Sequence, residues 1–516
     1  MEAVSPDAAT MGSAADGAPA APQRLGLGVK LGYGAGSVAY GVAYAGLSGA
    51  VLQIYLNQVL GIPPFTVGLA IMVSLMVDAL IDPLIGRWSD SVRTRWGRRH
   101  PFMYASALPL AGFFYLLWHA PHGLTGGGVI VFTLAMMICV RLSASLYEIP
   151  SNALTPELTP SYDARTTLQS YRWFFGIIGS AAATLVLNEV FLRTSAHNRL
   201  GILNREGYAA WGTVAAAAIF ASILVSSLAT HHRIRHLPMP RRETKRLAVV
   251  LREIRVTLTN PSLVSLMIAG VIGGVGGGVT AGLSIYLYTH FWDLEPAQFG
   301  LLLPLASVGS ILAVFLAPPI GRRFGKKAAM IGLFTVSVFT AAGPLFLRLI
   351  GVMPPNGSPW IMPILVADGI VTATVAIVGF ILVGSMLADV VEDAAVKSGV
   401  RSEGLLYAVN GLLPKFTGGI GAFIAGALLK AVNFPAHAAR GSVDPELMRH
   451  LVMLYLPLSV FLSATSIAVL GLYRIDRATH ERNLVTLADA AAAAVASHGI
   501  EGVEAGDAAT PNMRPM

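Results

Sequence analysis

Long apolar stretches recur along the whole chain, and short polar segments separate them. Each stretch reaches or approaches the roughly 20 residues that an α-helix needs to cross a hydrocarbon core about 30 Å thick. Gly and Pro occur within these stretches, and membrane helices that pack against one another tolerate both residues. The pattern predicts an all-α polytopic membrane protein with about twelve transmembrane helices, over residues 32–57, 66–86, 102–119, 128–150, 172–192, 209–229, 262–289, 299–319, 328–349, 360–386, 404–431 and 451–473.

The composition supports a lipid-facing surface. Hydrophobic residues make up 54% of the 516 residues and charged residues 12%, and the mean hydropathy is +0.64. A soluble chain carries about 25% charged residues, because it covers its surface with them. The formal net charge of +8 would suit nucleic-acid binding in a soluble protein, but the positions of the basic residues explain it better. We therefore expect a lipid bilayer, and no nucleic acid, as the partner of this surface.

Basic residues alternate from one loop to the next, with exceptions such as Arg193 and Arg440. The loops at 58–65, 120–127 and 290–298 contain no Lys or Arg, whereas the intervening loops carry basic clusters. Cytoplasmic loops of membrane proteins are enriched in Lys and Arg. The alternation predicts a multi-pass protein of the cell (inner) membrane, with an even number of helices and both termini in the cytoplasm.

The long basic loop near the middle of the chain separates two halves, and we expect it to fix the topology and to contact anionic lipid headgroups. Its histidines, His231, His232 and His236, lack the Cys or carboxylate partners that would complete a metal site. We expect no cofactor, and no metal beyond a Na⁺ ion. The predicted division is a disordered cytoplasmic N-terminal tail over 1–29, a six-helix bundle over 30–230, a basic cytoplasmic linker over 231–260, a second six-helix bundle over 261–475 and a cytoplasmic C-terminal tail over 476–516.

The two halves share a motif, which indicates an internal repeat. The loop after the second predicted helix reads GRWSDSVRTRWGRR (86–99), and the loop after the eighth reads GRRFGKK (321–327). Two related six-helix bundles joined by a central loop are typical of transporters with repeats. The first loop resembles the signature of the major facilitator superfamily. The resemblance implies a cytoplasmic gate that joins the two bundles and includes Asp90, Arg98 and Arg99. The alternative is that these charges only fix the topology.

Ionisable residues also lie inside the predicted membrane helices. Each costs about 2.5–3.5 kcal/mol to insert at a bilayer centre and is therefore a functional candidate. Asp78 and Asp82 share one face of the second helix, and Arg141, Ser145 and Glu148 share one face of the fourth. Carboxylates at matched depth beside a hydroxyl form a hard-oxygen site that suits Na⁺ or a proton. The alternative is a set of salt bridges between helices.

Several segments resemble the glycoside–pentoside–hexuronide:cation symporter family of the major facilitator superfamily, to which the melibiose permease belongs. They include KLGYGAG (30–36), DALIDPLIGRW (78–88), RTRWGRRHPF (93–102), YEIP (147–150), SYRWFFG (170–176), MLADVVED (386–393), VRSEGLLYAVN (400–410) and PKF (414–416). The similarity extends from about Lys30 to Tyr473, with motifs in both halves. It implies the major facilitator fold and solute transport coupled to a cation.

The resemblance also implies roles for individual residues. Asp78 and Asp82 would hold the coupling cation together with the Ser145 hydroxyl, and Glu148 would join the cation and sugar sites. We add Tyr44 as a candidate aromatic for stacking on a sugar. The remaining substrate-binding residues that the resemblance implies are Arg172, Phe380 and Lys415, the last of them close to the cation site.

This sequence departs from the family pattern at three positions. Gly41, preceded by Tyr40, stands where sugar-transporting relatives have an acid that binds the galactosyl ring, which argues against a melibiose-like substrate. Glu148 stands where the melibiose permease has Asp, and Arg141 stands where it has a small residue. An opposite charge holds a carboxylate ionised without a metal. Arg141 is therefore a charge-compensating candidate and favours H⁺ over Na⁺.

The sequence thus predicts a transporter and not an enzyme. We expect a monomer that carries a sugar, glycoside or related polar solute in symport with H⁺ or Na⁺ by alternating access. Because a fold does not determine its cargo, a carrier of lipid-like or amphiphilic solutes is an alternative, and a non-transporting scaffold or receptor is another. The glycine run 270–278 in the seventh helix also has two interpretations: a flexible or broken helix, or close packing through small residues.

Overall fold

The computed structural model describes residues 25–124, 126–159, 162–193, 201–234, 260–398, 403–435, 438 and 440–475, together with a few positions between 479 and 486. Within these residues the chain is helical, and the only extended pairing is an isolated bridge between Thr94 and Gly97. The predicted N-terminal tail up to residue 24, most of the central linker and most of the C-terminal tail lie outside the described residues.

The described helices form twelve units, which we label α1 to α12. In this part of the chain nine helices are long and apolar enough to cross a membrane, or up to eleven if each of two bent pairs is one span. The remaining predicted span, 404–431, is helical as α11. The bounds are α1 Leu27–Ala35, Ser37–Leu47, Gly49–Gln53 and Ile54–Val59; α2 Pro64–Ser91; α3 His100–Trp118; α4 Gly127–Leu158; α5 Tyr162–Val186 and Leu187–Phe191; α6 Arg205–His231; α7 Pro261–Tyr286 and Leu287–Phe291; α8 Pro296–Ala306 and Val308–Phe324; α9 Lys326–Leu349; α10 Ile361–Ser398; α11 Glu403–Ala431; and α12 Pro445–Leu470.

Local sequence explains several helix ends. The side chains of Asn204, Asn260 and Asp444 each accept a hydrogen bond from a backbone N–H in the first turn of α6, α7 and α12. Short polar side chains at this position satisfy N–H groups that have no partner within the helix. At their other ends, α1, α5 and α7 finish in a wide π-helical turn. Capped starts and π-helical ends therefore recur at corresponding helices of the two halves.

Helix packing repeats with a period of six helices. In the first half α1 packs on α5 and α6, α4 packs on α2 and α3, and α3 packs on α6. In the second half the same pairs recur as α7 with α11 and α12, α10 with α8 and α9, and α9 with α12. This periodicity is the one expected of an internal repeat.

The loops that precede α3 and α9 share one arrangement, in which a glycine is followed by a basic side chain that pairs with an acidic one. Gly97 and Gly325 precede the basic pairs and have positive φ angles of 73° and 74°, which glycine adopts without a Cβ penalty. In each half, a basic side chain after the glycine then pairs with a carboxylate on the fourth helix of that half: Arg98 with Glu157 at 2.7 Å and Lys326 with Asp389 at 2.6 Å.

The two halves meet most extensively where α2 packs on α11. An added Cβ at Gly68 would lie 2.6 Å from the carbonyl oxygen of Ala422, and one at Gly419 would lie 3.2 Å from the Cα of Met72. Near the end of α11, a Cβ at Gly426 would lie 2.5 Å from the carbonyl oxygen of Pro64. Small residues thus allow the two backbones to touch, as in other membrane helix pairs.

The glycine run of α7 does not break the helix, because α7 is continuous from Pro261 to Tyr286. An added Cβ at Gly278 would lie 3.0 Å from backbone atoms of Gly418 and Gly421, and one at Gly282 would lie 2.7 Å from the Cβ of Ala425. These contacts place the glycine face of α7 against α11. The structure therefore favours the packing interpretation of this run.

Candidate functional site

A lysine from the second half lies between the two acids of the first half. Lys415 Nζ lies 2.7 Å from Asp78 Oδ2 and also pairs with Asp82 Oδ2. Ser145 donates its hydroxyl proton to Asp78 Oδ1 at 2.9 Å, whereas Asp82 Oδ1 is buried without a partner in the described residues. The three helices α2, α4 and α11 therefore meet at this cluster near the middle of the bundle.

The backbone contact between α2 and α11 makes this cluster geometrically feasible. Asp78 and Asp82 lie one helical turn apart on the face of α2 that the glycine contacts bring against α11. A lysine side chain can then reach both carboxylates at once. Proline residues lie next to both partners, Pro83 in α2 and Pro414 in α11, and each removes one backbone hydrogen bond from its helix.

Glu148 forms a second ion pair, separate from the aspartates. Arg172 Nη2 lies 2.6 Å from Glu148 Oε1, and Arg172 Nη1 donates to Ser151 Oγ at 2.6 Å. Asn152 Nδ2 also donates to Glu148 Oε1, at 2.8 Å. In the described residues, no group of three or more His, Cys, Asp and Glu is arranged to hold a metal ion. The three predicted carboxylates are therefore split between two basic partners.

Tyr33 supports the second ion pair from α1. The Arg172 guanidinium lies 5.2 Å from the centre of the Tyr33 ring, and the Tyr33 hydroxyl lies 2.6 Å from the Ser151 carbonyl oxygen and 2.7 Å from Thr155 Oγ1. Sequence reasoning missed Tyr33, Ser151 and Thr155 as site residues. A usable signal was present, because Glu148, Ser151 and Thr155 follow the i, i+3, i+7 spacing of one helix face.

Arg141 is the remaining charge near the middle of the bundle. Its Nε donates to Ser74 Oγ at 3.1 Å, its charge interacts with that of Asp78, and Tyr40 and Tyr44 lie nearby. Within the described residues, Arg141 forms no ion pair with a carboxylate within 4.0 Å. The structure thus places the charge-compensating candidate beside Asp78 but leaves direct pairing with that acid to Lys415.

The candidate aromatics differ in their placement. Tyr44 stacks on Tyr40 with a ring separation of 6.1 Å, and Tyr40 lies near Glu148. Phe380, in contrast, is 58% exposed and is not among the aromatic and cation–π contacts of the described residues. Gly41 packs against the backbone of Gly176 on α5. A longer side chain at position 41 would therefore have no room in this arrangement.

The predicted cytoplasmic gate residues form a charge network within the first half. Arg99 pairs with Asp90 at 2.6 Å and with Glu157 at 2.9 Å, and it donates to Ser89 Oγ at 2.7 Å. Arg98 pairs with the same Glu157. These contacts join α2, the 92–99 loop and α4, and the contacts found for these side chains in the described residues include no partner in the second half. Sequence reasoning missed Glu157, which lies in a polar segment at the end of α4.

At the opposite end, polar side chains join the halves directly. We call this the bare end, because it carries the loops 58–65, 120–127 and 290–298 that lack Lys and Arg. The Tyr286 hydroxyl donates to Asn57 Oδ1 at 3.0 Å. Gln58 Nε2 donates to the Pro435 carbonyl at 3.1 Å, and Gln58 Oε1 accepts from the Ala438 N–H at 2.6 Å. Sequence reasoning missed this cluster as well.

Comparisons with known proteins show the family to which this chain belongs. A family model described as MFS/sugar transport protein matches residues 32–477. An uncharacterized symporter of Synechocystis sp. is 36% identical over 169 residues, 32% of this chain and 31% of that protein. The isoprimeverose transporter of Lactiplantibacillus pentosus is 24% identical over 430 residues, 83% of this chain and 84% of that protein.

The nucleoside transporter NupG is a structural neighbour. Its crystal structure matches with a TM-score of 0.59 at 15% sequence identity, and the match covers 86% of this chain and 98% of that chain. At this identity the likeness speaks for the fold alone. The predicted all-α major facilitator fold and the resemblance to the sugar symporter family are thereby confirmed.

Proposed function

Because this chain belongs to the MFS/sugar transport protein family, we propose that it is a secondary active transporter of a sugar, glycoside or related polar solute, coupled to H⁺ or Na⁺. It is a multi-pass membrane protein with nine to eleven candidate spans in its described residues. The relative that matches most of the chain is named for a sugar, and the other is named a symporter. Both names support a small polar cargo and coupled transport.

One observation carries the proposal: Lys415 binds both acids of α2 across the interface between the halves. An ion pair in this position depends on the charge of the carboxylates. When a cation neutralises Asp82, its attraction to Lys415 falls, and one link between the halves is weakened. Cation binding is therefore energetically coupled to movement of the two halves.

The same link accounts for coupling to the solute. Solute bound between the halves near Arg172 and Glu148 stabilises one arrangement of the bundles, and a cation at Asp82 stabilises the same arrangement. Each ligand then raises the affinity for the other by an equal factor. The empty carrier re-forms the Lys415 pair and returns, which completes the alternating-access cycle.

We propose H⁺ as the coupling ion. In the described residues, Lys415 already occupies one oxygen of each aspartate, and Ser145 occupies the other oxygen of Asp78. Asp82 Oδ1 remains as a single acceptor. A proton needs only one such atom, whereas metal cations in oxygen sites take several ligands at once.

The orientation of the protein in the membrane follows from the distribution of basic residues among its loops. We propose that the bare end faces outward and that the basic loops face the cytoplasm, in the cell (inner) membrane, with two six-helix bundles over 30–230 and 261–475. The contacts of Gln58 and Tyr286 hold the outward end closed. The arrangement is thus one stage of the cycle, in which the solute does not enter from outside.

Uptake by purified protein in proteoliposomes tests this proposal. In Asp82→Asn the amide resembles the protonated acid and cannot bind a proton, so we expect uptake driven by a pH gradient to fall about tenfold or more, while solute exchange without a gradient persists. Uptake under a Na⁺ gradient at equal pH separates the two ions. Glu446→Gln, an acid-to-amide change at an exposed position on α12, is the matched control.

Two results would contradict the proposal. Full accumulation by Asp82→Asn would remove the acid from the coupling mechanism. Absence of flux of any sugar or glycoside in the unmodified protein, tested by exchange with a panel of labelled solutes, would favour a scaffold or receptor.

A further inference from the structure

Arg141 is held in place by a hydrogen bond that uses only one edge of its guanidinium group. Its Nε donates to Ser74 Oγ at 3.1 Å. Ser74 is fully buried, and its own hydroxyl donates to the Ile71 carbonyl at 2.8 Å. The serine therefore acts as a fixed acceptor and orients the arginine from α2.

The two terminal amino groups of Arg141 have no acceptor in the described part of the chain. The acid whose charge interacts with Arg141 is Asp78, and its two oxygens are already bound by the Ser145 hydroxyl at 2.9 Å and by Lys415 at 2.7 Å. Glu148 is bound by Arg172. A guanidinium carries five N–H donors in a planar fork. Four of them, in a well-ordered orientation, are therefore left for a ligand.

The charges of this region balance without any bound ion. Three acids, Asp78, Asp82 and Glu148, face three basic side chains, Lys415, Arg172 and Arg141. Lys415 and Arg172 together pair with all three acids, although Asp82 Oδ1 and Glu148 Oε2 have no partner in the described residues. The positive charge of Arg141 is thus balanced only at longer range, and a partly buried charge without a direct partner is costly. An anionic ligand would supply that partner.

Two aromatic rings complete the surroundings. Tyr40 and Tyr44 of α1 stack on each other at 6.1 Å, are 46% and 62% exposed, and lie near Arg141. Exposed ring faces beside a donor fork suit a ligand that combines a ring with a charged group, since the apolar face of the ring packs on the aromatics while the charge binds the arginine.

We propose that Arg141 binds an anionic group of the solute, so that this transporter selects acidic sugar derivatives over neutral ones. The inference rests on the proposed function and specifies its substrate class. Carboxylate and phosphate groups both match the fork, because each accepts two parallel N–H bonds from arginine. Ser74 is the positioning residue of this subsite.

A matched pair of solutes tests the inference. Methyl β-D-glucuronide and methyl β-D-glucoside differ only at C6, which is a carboxylate in the first and a hydroxymethyl group in the second. Glucose 6-phosphate tests the phosphate alternative. In proteoliposomes we expect the unmodified protein to take up an anionic solute about tenfold or more faster than the glucoside. Arg141→Gln should remove that preference, because uptake of the anionic solute should fall about tenfold more than uptake of the glucoside. Arg449→Gln, at an exposed position, is the control.

Two further variants separate binding from folding. Arg141→Lys keeps the charge but not the fork, so we expect part of the preference to remain. Ser74→Ala keeps the whole guanidinium but not its orientation, so uptake of the anionic solute should fall more than uptake of the glucoside. Either result supports a subsite, because loss of folding would reduce transport of all solutes alike.

The outcomes distinguish this inference from the function on which it rests. Equal or faster uptake of the neutral glycoside by the unmodified protein would overturn the inference and leave sugar transport standing. An equal loss for both solutes in Arg141→Gln would also overturn it and would assign Arg141 to charge balance at Asp78. Absence of all sugar flux would remove the transport function itself, and the inference with it.

Discussion

At the scale of single residues, Lys415 governs the state of both acids of α2. It is the only basic side chain within 4.0 Å of either acid in the described residues. Two carboxylates one turn apart repel each other when both are ionised, and the shared ammonium removes that repulsion. The lysine therefore permits two buried negative charges where an apolar environment would otherwise favour their neutral forms.

Removal of this lysine should destabilise the protein. Lys415→Ala leaves Asp78 and Asp82 without their cation, and breaking a buried pair in this way costs about 3–5 kcal/mol. We expect a lower melting temperature in detergent and loss of concentrative uptake. The double variant Lys415→Ala with Asp82→Asn should recover much of the melting temperature, because one uncompensated charge is gone. Lys327→Ala, which loses a single bond to the Gly471 carbonyl, is the control.

Melting temperatures of the two single variants and the double variant, compared in a double-mutant cycle, show whether Lys415 and Asp82 interact energetically. If the two substitutions were additive in melting temperature, Lys415 and Asp82 would not interact energetically, and the ion pair would have no role in stability.

At the scale of helices, glycine determines which elements can meet. The contacts of Gly68, Gly419 and Gly426 bring α2 against α11, and those of Gly278 and Gly282 bring α7 against the same helix. Without an apolar driving force between helices in lipid, such close contact stabilises their association. The glycines therefore support the ion pair indirectly, since they set the distance that the Lys415 side chain has to cover.

A single methyl group on α2 should disturb this packing. In Gly68→Ala the new Cβ would lie 2.6 Å from the Ala422 carbonyl oxygen, and such overpacking costs about 1–3 kcal/mol. We expect slower uptake and a lower melting temperature, because the helices separate and weaken the Lys415 contacts. Gly112→Ala makes the same change on α3, where no atom lies within 4 Å. It should leave uptake unchanged, and transport at the normal rate by both variants would refute the role of the glycine contact.

At the scale of the whole molecule, side chains join the two halves at two positions along the bundle. Lys415 links them near the middle of the bundle, and Gln58 and Tyr286 link them at the bare end. In the proposed orientation, alternating access requires the links at the bare end to break when solute enters from outside. Hydrogen bonds suit this task, because each contributes only about 0.5–1.5 kcal/mol net and is replaced by water when the end opens.

Weakening the links at the bare end should shift the molecule towards its outward-open form. Gln58→Ala removes the bonds to Pro435 and Ala438, which together favour closure by about 1–3 kcal/mol, or roughly 5- to 150-fold in population. We expect faster labelling of a cysteine placed at Tyr44 by an impermeant thiol reagent added at the bare end, in a Cys139→Ser background.

The control for this experiment is Gln298→Ala, which loses only a local bond to the Glu295 N–H at the same end. If both substitutions left the labelling rate unchanged, closure of the bare end would not depend on Gln58.

Patterns that are local along the chain were sufficient for the fold and for much of the chemistry. Hydropathy marked the membrane helices, since a span of apolar residues has few alternatives to a helix in lipid. Helical spacing placed Asp78 with Asp82 and Ser145 with Glu148 on common faces. The repeated loop motif at 86–99 and 321–327 indicated two related halves. Each of these inferences needs only the order of residues within a short segment, or a comparison of two such segments, and for that reason it can be made from the sequence.

The partners of those residues depended on tertiary packing. Lys415 is 333 positions from Asp82, and only the rotation and contact of α2 and α11 bring them together. Ser74, Ser151 and Glu157 look unremarkable in sequence, because a polar residue gains a role only when another helix supplies its partner. Because of the same packing, Asp78 pairs with Lys415 and not with Arg141. The terminal amino groups of Arg141 therefore have no acceptor in the described residues. Pairing between helices is a property of their arrangement in space, and spacing along one helix does not contain it.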